Sequence, residues 1–367
     1  YHLIFIVKIK NIMKVCILGN GLTSLTLAKA LANEGINVII FSDKKLEKQN
    51  KSRTVAISKD NLEYFNKNIL DISKLAWSVD KIEVFSEILK NEKILSFEKK
   101  NSQIFSIIRN YKLYNLLFSK LKKNKLVTFE NYKNGLYKKN YNLIIVCDRN
   151  HSISKKFFFR NIKKDYKSFA YTTLMNHQKL KKNNVATQYF TRIGPLAFLP
   201  ISQTQTSIVF SAKGKNHQNL SETINKFNEK YKSIKLDRIY KFELKSSSLR
   251  SYYKKNVLAF GELLHKIHPH AGQGFNMSLR DIKDLIFLAK SRIELGLELD
   301  SSVCSNFEMR NKHLNYLFAS GVDFVYEFFN LENKINYPIM TKTLKLFGQN
   351  KLINDFLKKS ADQGLRT

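Results

Sequence analysis

The stretch from Leu258 to Asp281 reads LAFGELLHKIHPHAGQGFNMSLRD. An apolar run ends at Gly261-Glu262, a proline follows at Pro269, and Gly272-Gln273-Gly274 leads to a helical pattern that Asn276 opens. Apolar residues then recur at helical spacing, namely Leu279, Ile282, Ile286, Ala289 and Ile293. The stretch therefore predicts a strand, a glycine loop and a buried helix. A helix N-terminus reached through glycines presents free N–H groups, so we expect an anionic or electron-rich group there.

A second glycine turn lies near the start of the chain. Lys14–Leu18 (KVCIL) predicts a buried parallel strand that runs into Gly19-Asn20-Gly21-Leu22-Thr23-Ser24. A helix follows, with inward positions Leu25, Ala28, Leu31 and Ala32, and then a second strand over Ile36–Phe41. This order is typical of a dinucleotide-binding unit, in which Gly19 and Gly21 let the backbone approach a pyrophosphate. Ser24 replaces the third glycine and is small enough for close helix packing.

The acidic residue that binds ribose hydroxyls in such a unit is displaced. Ser42 occupies the expected position at the end of the second strand, and Asp43 follows it. Either Asp43 reaches the ribose or it is a solvated loop carboxylate, and both interpretations stay open.

Three further positions belong to the predicted nucleotide-binding region. Arg53 precedes a short apolar run and either closes over a cofactor or faces water. Phe105–Lys125 predicts a helix, with Arg109 at its start facing either a cofactor cleft or solvent. Asn142–Cys147 predicts a buried strand that ends at Asp148, and open α/β sheets bind ligands at that edge.

The middle of the chain has the period-two alternation of an antiparallel sheet. It includes Lys81–Phe85 and Thr206–Ser211, and one face of this sheet is expected to line a pocket. Helices are predicted over Phe307–Phe329 and Asn350–Lys358.

Composition limits the class of protein. The 367 residues are 43% apolar and 12% aromatic, which argues against a disordered chain. The net charge of +33 suits a polyanion, but the basic residues are spread along the chain and Lys, Asn, Ile, Phe and Tyr are abundant together. We therefore favour a codon-composition effect over a nucleic-acid surface, while contact with an anionic membrane remains compatible.

The cysteines favour a reducing compartment. Cys16, Cys147 and Cys304 are widely spaced and form no CxxC pair. The apolar run Leu3–Val7 is too short to span a bilayer, and residues 1–12 are interpreted as a non-structural extension.

Three separated motifs occur together: the turn at Gly19, the strand ending at Asp148, and GELLHKIHPHAGQGFN at 261–276. Together they resemble the flavin-dependent aromatic hydroxylases of the para-hydroxybenzoate hydroxylase type. The GQGFN form, with RTVAIS from Arg53 and GPLAFLPIS from Gly194, is most similar to the ubiquinone-biosynthesis hydroxylases. The resemblance covers nearly the whole chain from Met13.

The resemblance implies an α/β fold with interleaved domains. A Rossmann-like FAD-binding domain would comprise 13–70, 103–165 and 250–300. A mainly antiparallel substrate-binding domain would comprise 71–102 and 166–249, and a helical C-terminal region 301–367.

The resemblance also assigns cofactor contacts. It places the FAD pyrophosphate at the first glycine turn and the isoalloxazine against the second glycine loop, where the helix N-terminus stabilises negative charge. The residues implied to bind the cofactor are Gly19, Gly21, Ser24, Asp43, Arg53, Arg109, Asp148, Gly261, Glu262, Pro269, Gly272, Gln273, Gly274 and Asn276. No catalytic residue can be assigned from the sequence.

Besides the displaced acidic residue at Asp43, two further positions depart from the family pattern. Glu262 stands where the family has aspartate, which lengthens the carboxylate side chain by one methylene. Arg149 stands where a glycine should follow Asp148, so a bulky side chain occupies a place where the backbone normally approaches the cofactor.

The implied chemistry is hydroxylation of a polyprenylated phenol in ubiquinone biosynthesis through a flavin C4a-hydroperoxide, with O2 as co-substrate. No second unit with the strand, glycine turn, helix and strand order of the Gly19 region is found, so a separate NAD(P)H-binding Rossmann domain is not expected and reduction would come from docked NAD(P)H or another electron donor. The implied location is cytoplasmic, with peripheral contact at the inner membrane face and with other ubiquinone-biosynthesis proteins. No nucleic-acid partner is expected.

Two alternatives stay open. Another FAD oxidoreductase of the same fold, such as a prenyl-chain reductase, would keep the glycine turn without a phenol pocket. A non-catalytic scaffold in a biosynthetic complex would account for the altered Arg149 and Glu262 positions.

Three histidines lie close together in the opening stretch, at His265, His268 and His270. Their HxxH and HxH spacing is found in metal sites, but no Cys or carboxylate set completes one. We therefore expect structural hydrogen bonding and no metal.

Overall fold

The computed structural model describes residues 13–42, 50–98, 103–132, 140–214, 219–268, 272–335, 341–343, 345, 359 and 362–364. The predictions for 1–12, Asp43, Pro269, His270 and 350–358 lie outside these residues.

The described residues form three sheets and a set of helices. The strands are β1 (Lys14–Leu18), β2 (Asn37–Phe41), β3 (Thr54–Ser58), β4 (Trp77–Val79), β5 (Lys81–Ser86), β6 (Glu92–Glu98), β7 (Phe105–Arg109), β8 (Val127–Glu130), β9 (Leu143–Val146), β10 (Asn161–His177), β11 (Val185–Phe190), β12 (Pro195–Pro200), β13 (Gln205–Lys213), β14 (Ser233–Leu236), β15 (Tyr240–Leu249), β16 (Tyr253–Lys254), β17 (Val257–Ala259) and β18 (His265–Lys266). The α-helices are α1 (Leu22–Asn33), α2 (Lys59–Asn68), α3 (Asn110–Lys122), α4 (Ser152–Phe157), α5 (Leu220–Phe227), α6 (Gln273–Glu294) and α7 (Ser301–Ile335). Among the described residues, 3-10 turns lie at Ser73–Leu75 and Gly261–Leu263.

The six-stranded sheet has the order β16-β17-β9-β1-β2-β8. Its strands from β17 to β8 run parallel, and β16 pairs antiparallel with β17. The predicted sequence of strand, glycine turn, helix and strand at the start of the chain is confirmed in β1, α1 and β2. Both β1 and β9 are buried almost throughout, as expected for inner strands of a parallel sheet.

The nine-stranded sheet has the order β18-β15-β10-β13-β12-β11-β5-β6, and β14 also pairs with β10. Its pairs are antiparallel except for β11 with β5. The predicted alternation in the middle of the chain is therefore confirmed as sheet. Since β5 and β6 come from 81–98 and the other strands from 161–266, the chain passes between the two large sheets more than once. The boundaries of the two interleaved domains stay a prediction.

The third sheet corrects one prediction. The helix expected over Phe105–Lys125 begins only at Asn110, because Phe105–Arg109 forms β7 between β3 and β4. Ile107 and Ile108 are buried there, and β-branched residues suit a paired strand. The apolar run at 105–109 fits the spacing of either a helix or a strand. Pairing with β3 and β4, which lie elsewhere in the sequence, makes it a strand. The remaining helix buries Leu113, Leu117 and Leu121, while Leu116 is partly buried.

Two helices cover the end of the chain that the structure describes. Helix α6 buries the five apolar positions predicted from the opening stretch, but it begins at Gln273 instead of Asn276. Helix α7 confirms the helix predicted over Phe307–Phe329 and packs aromatic side chains against both large sheets. Phe307 contacts Phe260 beside the parallel sheet, and Phe329 stacks on Phe190 of β11. Across the described residues, no helix is sufficiently long and apolar to cross a membrane.

Candidate functional site

A cleft of about 1460 Å³ lies where the carboxyl ends of β1 and β9 face the nine-stranded sheet. The first glycine turn, the β9–α4 loop, the 3-10 turn and the start of α6 line one part of it. Strands β5, β11, β12, β13 and β15 line another part. The edge of a parallel sheet is thus joined to the face of an antiparallel one, which is the geometry expected for ligand binding in open α/β sheets.

The first glycine turn places backbone at the cleft wall. Gly19 has φ +112°, and a Cβ atom there would lie 3.2 Å from the backbone nitrogen of Asp148, so only glycine fits without strain. Its own N–H donates to the Phe41 carbonyl at 2.9 Å. Gly21 is the N-cap residue of α1, and a Cβ atom added to it would meet no other atom within 4 Å, because this glycine faces the open cleft. Ser24 is buried and lines the same end.

The loop after β9 contains the predicted Asp148 and the unexpected Arg149. Asp148 Oδ1 accepts a 2.8 Å hydrogen bond from the Asn150 N–H, which closes the loop upon itself. Arg149 Nη2 donates to the Ser247 hydroxyl and to the Glu262 carbonyl, at 2.7 Å each. The side chain therefore links the parallel-sheet edge to the nine-stranded sheet. Loss of hydration lowers the pKa of Arg149 below its ordinary value, and the charge of Glu262 opposes that change.

The 3-10 turn at Gly261–Leu263 packs against the start of α1, beside the first glycine turn. Gly261 packs against Thr23, whose side chain would be 3.0 Å from a Cβ atom at that glycine. Glu262 is exposed and lines the cleft. The expected Gly-Glu pair thus lies at the cleft, with the Glu262 side chain on its wall.

The two predicted arginines have different positions. Arg53 lines the cleft, and its guanidinium carbon lies 5.9 Å from the centre of the Phe242 ring. Arg109 does not line the cleft, because its Nη2 donates to the Gln205 side chain, which in turn donates to Asn176 at 2.7 Å. The structure therefore places the Arg109 side chain in a polar network with Gln205 and Asn176. Its backbone lies beside predicted Arg53, because Arg109 pairs with Thr54 and the Asn110 N–H donates to the Arg53 carbonyl at 3.0 Å.

Gly272 holds the start of α6 close to β3. It has φ +58°, and a Cβ atom there would lie 2.9 Å from the Ala56 Cβ. Gln273 and Gly274 follow it along the cleft wall. Gln273 Oε1 is buried, and within the described part of the chain it has no hydrogen-bond partner. A buried acceptor without a partner is costly in an empty protein, so a ligand donor is expected beside it.

Asn276 also lines the cleft, and its side chain makes hydrogen bonds within the protein; its predicted cofactor contact stays a prediction. Its Oδ1 accepts hydrogen bonds from Ser58 N at 2.9 Å and Asn61 Nδ2 at 3.0 Å. Its Nδ2 donates to the Ala56 carbonyl at 2.9 Å and to the Gly272 carbonyl at 3.3 Å. The side chain is therefore committed to joining α6 to β3 and α2. Ser58 and Asn61 were not predicted, because the sequence does not show that these distant turns meet.

The nine-stranded sheet supplies the apolar part of the cleft. Its lining side chains alternate along their strands and include Ile82, Val84, Phe190, Ala197, Leu199, Val209 and Leu244. The alternation of β5 and β13 predicted a sheet face that lines a pocket, but it could not identify which face.

Within the stretch from Leu258 to Asp281, the two described histidines are held by contacts with other protein groups. His265 Nε2 forms a 2.5 Å hydrogen bond with Asp281 Oδ2, and Asn315 donates to the other carboxylate oxygen at 3.0 Å. His268 is stacked 4.5 Å from the Tyr326 ring and lies edge-on 4.7 Å from Tyr166. Burial, together with the charge of Lys164, lowers the pKa of His268 to about 3.

Sequence comparison finds relatives with a named activity. The chain is 23% identical over 275 residues to the mitochondrial ubiquinone biosynthesis monooxygenase COQ6 of Schizosaccharomyces pombe, covering 61% of this chain and 57% of the relative. It is 29% identical over 153 residues to 3-demethoxyubiquinol 3-hydroxylase of Escherichia coli, covering 39% of each. The chain thus spans about half the length of the curated relatives it matches. No protein-family model matches it.

Solved structures match a larger share of the chain than the sequence relatives do. The p-nitrophenol 4-monooxygenase PnpA of Pseudomonas putida superposes with a TM-score of 0.76 over 97% of this chain and 100% of its own, at 12% identity. PqsL of Pseudomonas aeruginosa, a probable FAD-dependent monooxygenase, gives 0.71 over 90% and 99%, at 14% identity. The chain has the FAD-dependent aromatic monooxygenase fold. The resemblance to ubiquinone-biosynthesis monooxygenases predicted from the sequence is also confirmed.

The residues of this FAD-dependent monooxygenase fold fit the cofactor. Gly21 opens onto free space, Gly19 leaves room only for backbone beside Asp148, and Gln273 offers a buried acceptor without a partner among the described residues. Backbone N–H groups at a glycine turn suit a diphosphate, and the start of α6 suits an electron-rich ring. The two ends lie in one cleft, so a dinucleotide could extend between them.

Proposed function

We propose that the protein is an FAD-dependent monooxygenase that hydroxylates the aromatic ring of a polyprenylated phenol in ubiquinone biosynthesis. The supporting observation is that one cleft joins a dinucleotide-type glycine edge to an apolar sheet face. The named activities of the sequence relatives agree with this proposal.

The cofactor would be held at the parallel-sheet edge. Its diphosphate would accept hydrogen bonds from the turn at Gly19 and Gly21, and its ribityl hydroxyls would donate to Glu262. The flavin ring would lie against Gly272 and Gln273, where N–H groups at the start of α6 favour negative charge. The predicted contacts of Asp43 and Pro269 belong to the same proposal.

The protein's contribution to the reaction is positioning and exclusion of water. FAD, when bound, supplies the activation of molecular oxygen. The apolar side chains of β5, β12 and β13 would orient the phenol ring and keep water from the reacting atoms. Reducing equivalents would come from NAD(P)H or another donor.

We further propose peripheral membrane contact, because a polyprenylated phenol is dissolved in lipid. Two observations support this proposal: the net charge of +33 and an exposed apolar stripe on α7. The stripe consists of Met309, Tyr316, Leu317, Phe324, Leu331 and Ile335. Co-sedimentation with anionic but not neutral vesicles would test it.

The function is tested in two steps. The purified protein should bind added FAD and develop a flavin absorption spectrum. Expression in a bacterium that lacks its own ubiquinone ring hydroxylases should then restore the missing hydroxylated precursor, measured by mass spectrometry of quinone extracts.

Each step has a result that contradicts the proposal. A protein that binds no FAD, although folded by circular dichroism, would be a non-catalytic scaffold. A flavoprotein that restores no ring hydroxylation and instead reduces prenyl double bonds would be a prenyl-chain reductase.

A further inference from the structure

Arg149 lies on the wall of the polar end of the cleft and is exposed. It follows Asp148, whose backbone nitrogen faces Gly19, and it lines the cleft together with Gly21 and Glu262. Its backbone is not strained, because Arg149 does not have a positive φ. The loop therefore accommodates an arginine without the conformational freedom of glycine.

The guanidinium group is only partly used by the protein. Its bonds to Ser247 and to the Glu262 carbonyl both come from Nη2, which leaves Nε and Nη1 without an acceptor among the described residues. No described carboxylate forms an ion pair with Arg149, although the charge of Glu262 acts on it. An anchored guanidinium with free donors in a cleft is a receptor for an anion with several oxygens.

We infer that Arg149 binds the diphosphate of the dinucleotide. Its side chain would replace the contact that the backbone could make with the cofactor if a glycine were present at this position. The inference rests on the proposed function, because it takes FAD as the ligand. The diphosphate would lie between the turn at Gly19 and the free edge of the guanidinium. Arg149 is then a cofactor-binding residue and not an obstruction.

The position of Glu262 supports an anion-binding function for the arginine. An exposed carboxylate on the cleft wall repels a diphosphate, and a positive charge beside it offsets that repulsion. Arg149 donates to the backbone carbonyl of Glu262, which holds the guanidinium beside this residue, and the charge of Glu262 acts on it.

The test compares FAD with riboflavin, which lacks phosphate. Dissociation constants are measured by flavin fluorescence for the wild type, Arg149→Gln and Arg149→Lys. Arg149→Gln should weaken FAD binding about tenfold to a hundredfold, the effect of one charged hydrogen-bonding group. Riboflavin binding should not change, and Arg149→Lys should recover part of the FAD affinity.

Two controls separate this effect from others. Arg160→Gln removes the same charge at an exposed position outside the cleft and should leave FAD binding unchanged. Arg149→Gly restores the family residue and should bind FAD more weakly than the wild type. Circular dichroism establishes that each variant is folded.

The outcomes distinguish the inference from the function. If the wild type binds FAD and Arg149→Gln or Arg149→Gly binds it equally or more tightly, Arg149 is not a diphosphate ligand and the proposed function stands. If the wild type binds no FAD, the proposed function and the inference both fail.

Discussion

Gly19 and Gly21 belong to one turn but differ in what they require. Gly19 has a backbone conformation reserved for glycine and touches Asp148, whereas Gly21 has ordinary φ and faces open space. Gly19→Ala should therefore lower the free energy of unfolding by about 2 kcal/mol. Gly21→Ala should leave stability within about 0.5 kcal/mol and weaken FAD binding, because a methyl group would occupy ligand space. Urea unfolding and FAD titration measure the two effects.

A Gly21→Ala variant less stable than Gly19→Ala would contradict this difference between the two glycines. Equal FAD affinity for Gly21→Ala and the wild type would show that the dinucleotide does not approach this turn.

His268 gives the protein a specific pH dependence. Its pKa is lowered to about 3 in the folded state, so the unfolded state binds a proton first as the pH falls below about 6.5. The contribution of the neutral His268 side chain to the free energy of unfolding is therefore fully present above that pH and is lost between pH 6.5 and 3. About 2 kcal/mol of it is lost from pH 7 to pH 5. Replacing His268 by Gln should remove this part of the pH dependence, measured by urea unfolding at both pH values. His313→Gln, at an exposed position, is the matched control. If the free energy of unfolding of the His268 variant fell with pH as steeply as that of the wild type, His268 would not be the source of this pH dependence.

Single residues were predictable where a local motif fixes the backbone. Gly19, Gly21 and Gly272 lie where their motifs predict, because each motif is formed by neighbours in sequence. The direction of the Arg149 side chain was not predictable, since its partners are 98 and 113 positions away. Arg109 shows the same limit, because Gln205 is 96 positions away.

At the scale of elements, α7 joins the two large sheets through some of its aromatic residues and exposes others. Phe307 is fully buried against Phe260, whereas Phe324 is 66% exposed. Phe307→Ala should lower the free energy of unfolding by about 4 kcal/mol, because burial is lost and a cavity forms. Phe324→Ala on the same helix should change it by less than about 0.5 kcal/mol. Chemical denaturation of both variants measures the difference.

A similar loss in both variants would mean that the exposed stripe is covered by protein in solution. In that case the stripe would no longer support membrane contact.

Helices and strands could be predicted from the spacing of apolar residues, except in segments whose spacing fits both a helix and a strand. The alternation of β5 and the spacing of α6 each fit one structure only. Phe105–Arg109 fits a strand or the first turn of a helix, and β3 and β4 on either side make it a strand. Such an outcome depends on pairing that is not encoded within the segment itself.

For the whole molecule, the net charge of +33 produces repulsion that opposes the compact state. Raising NaCl from 0.01 to 0.1 M shortens the screening length from about 30 to about 10 Å. The melting temperature of the FAD-free protein should therefore rise by several degrees. Calorimetry in NaCl and in KCl measures this rise, and equal effects of the two salts would identify screening. A melting temperature that is constant or falls would contradict the repulsion argument.

The order of the strands also determines when the protein can fold during translation. Strand β9 pairs with β1, which is made before it, and with β17, which is made only after the long interval that contains β10 to β15. On the ribosome, β9 therefore leaves one backbone edge without its native neighbour until Val257–Ala259 has been synthesised. Unpaired edges attract other strands, so nascent chains of this intermediate length are the ones we expect to need chaperones.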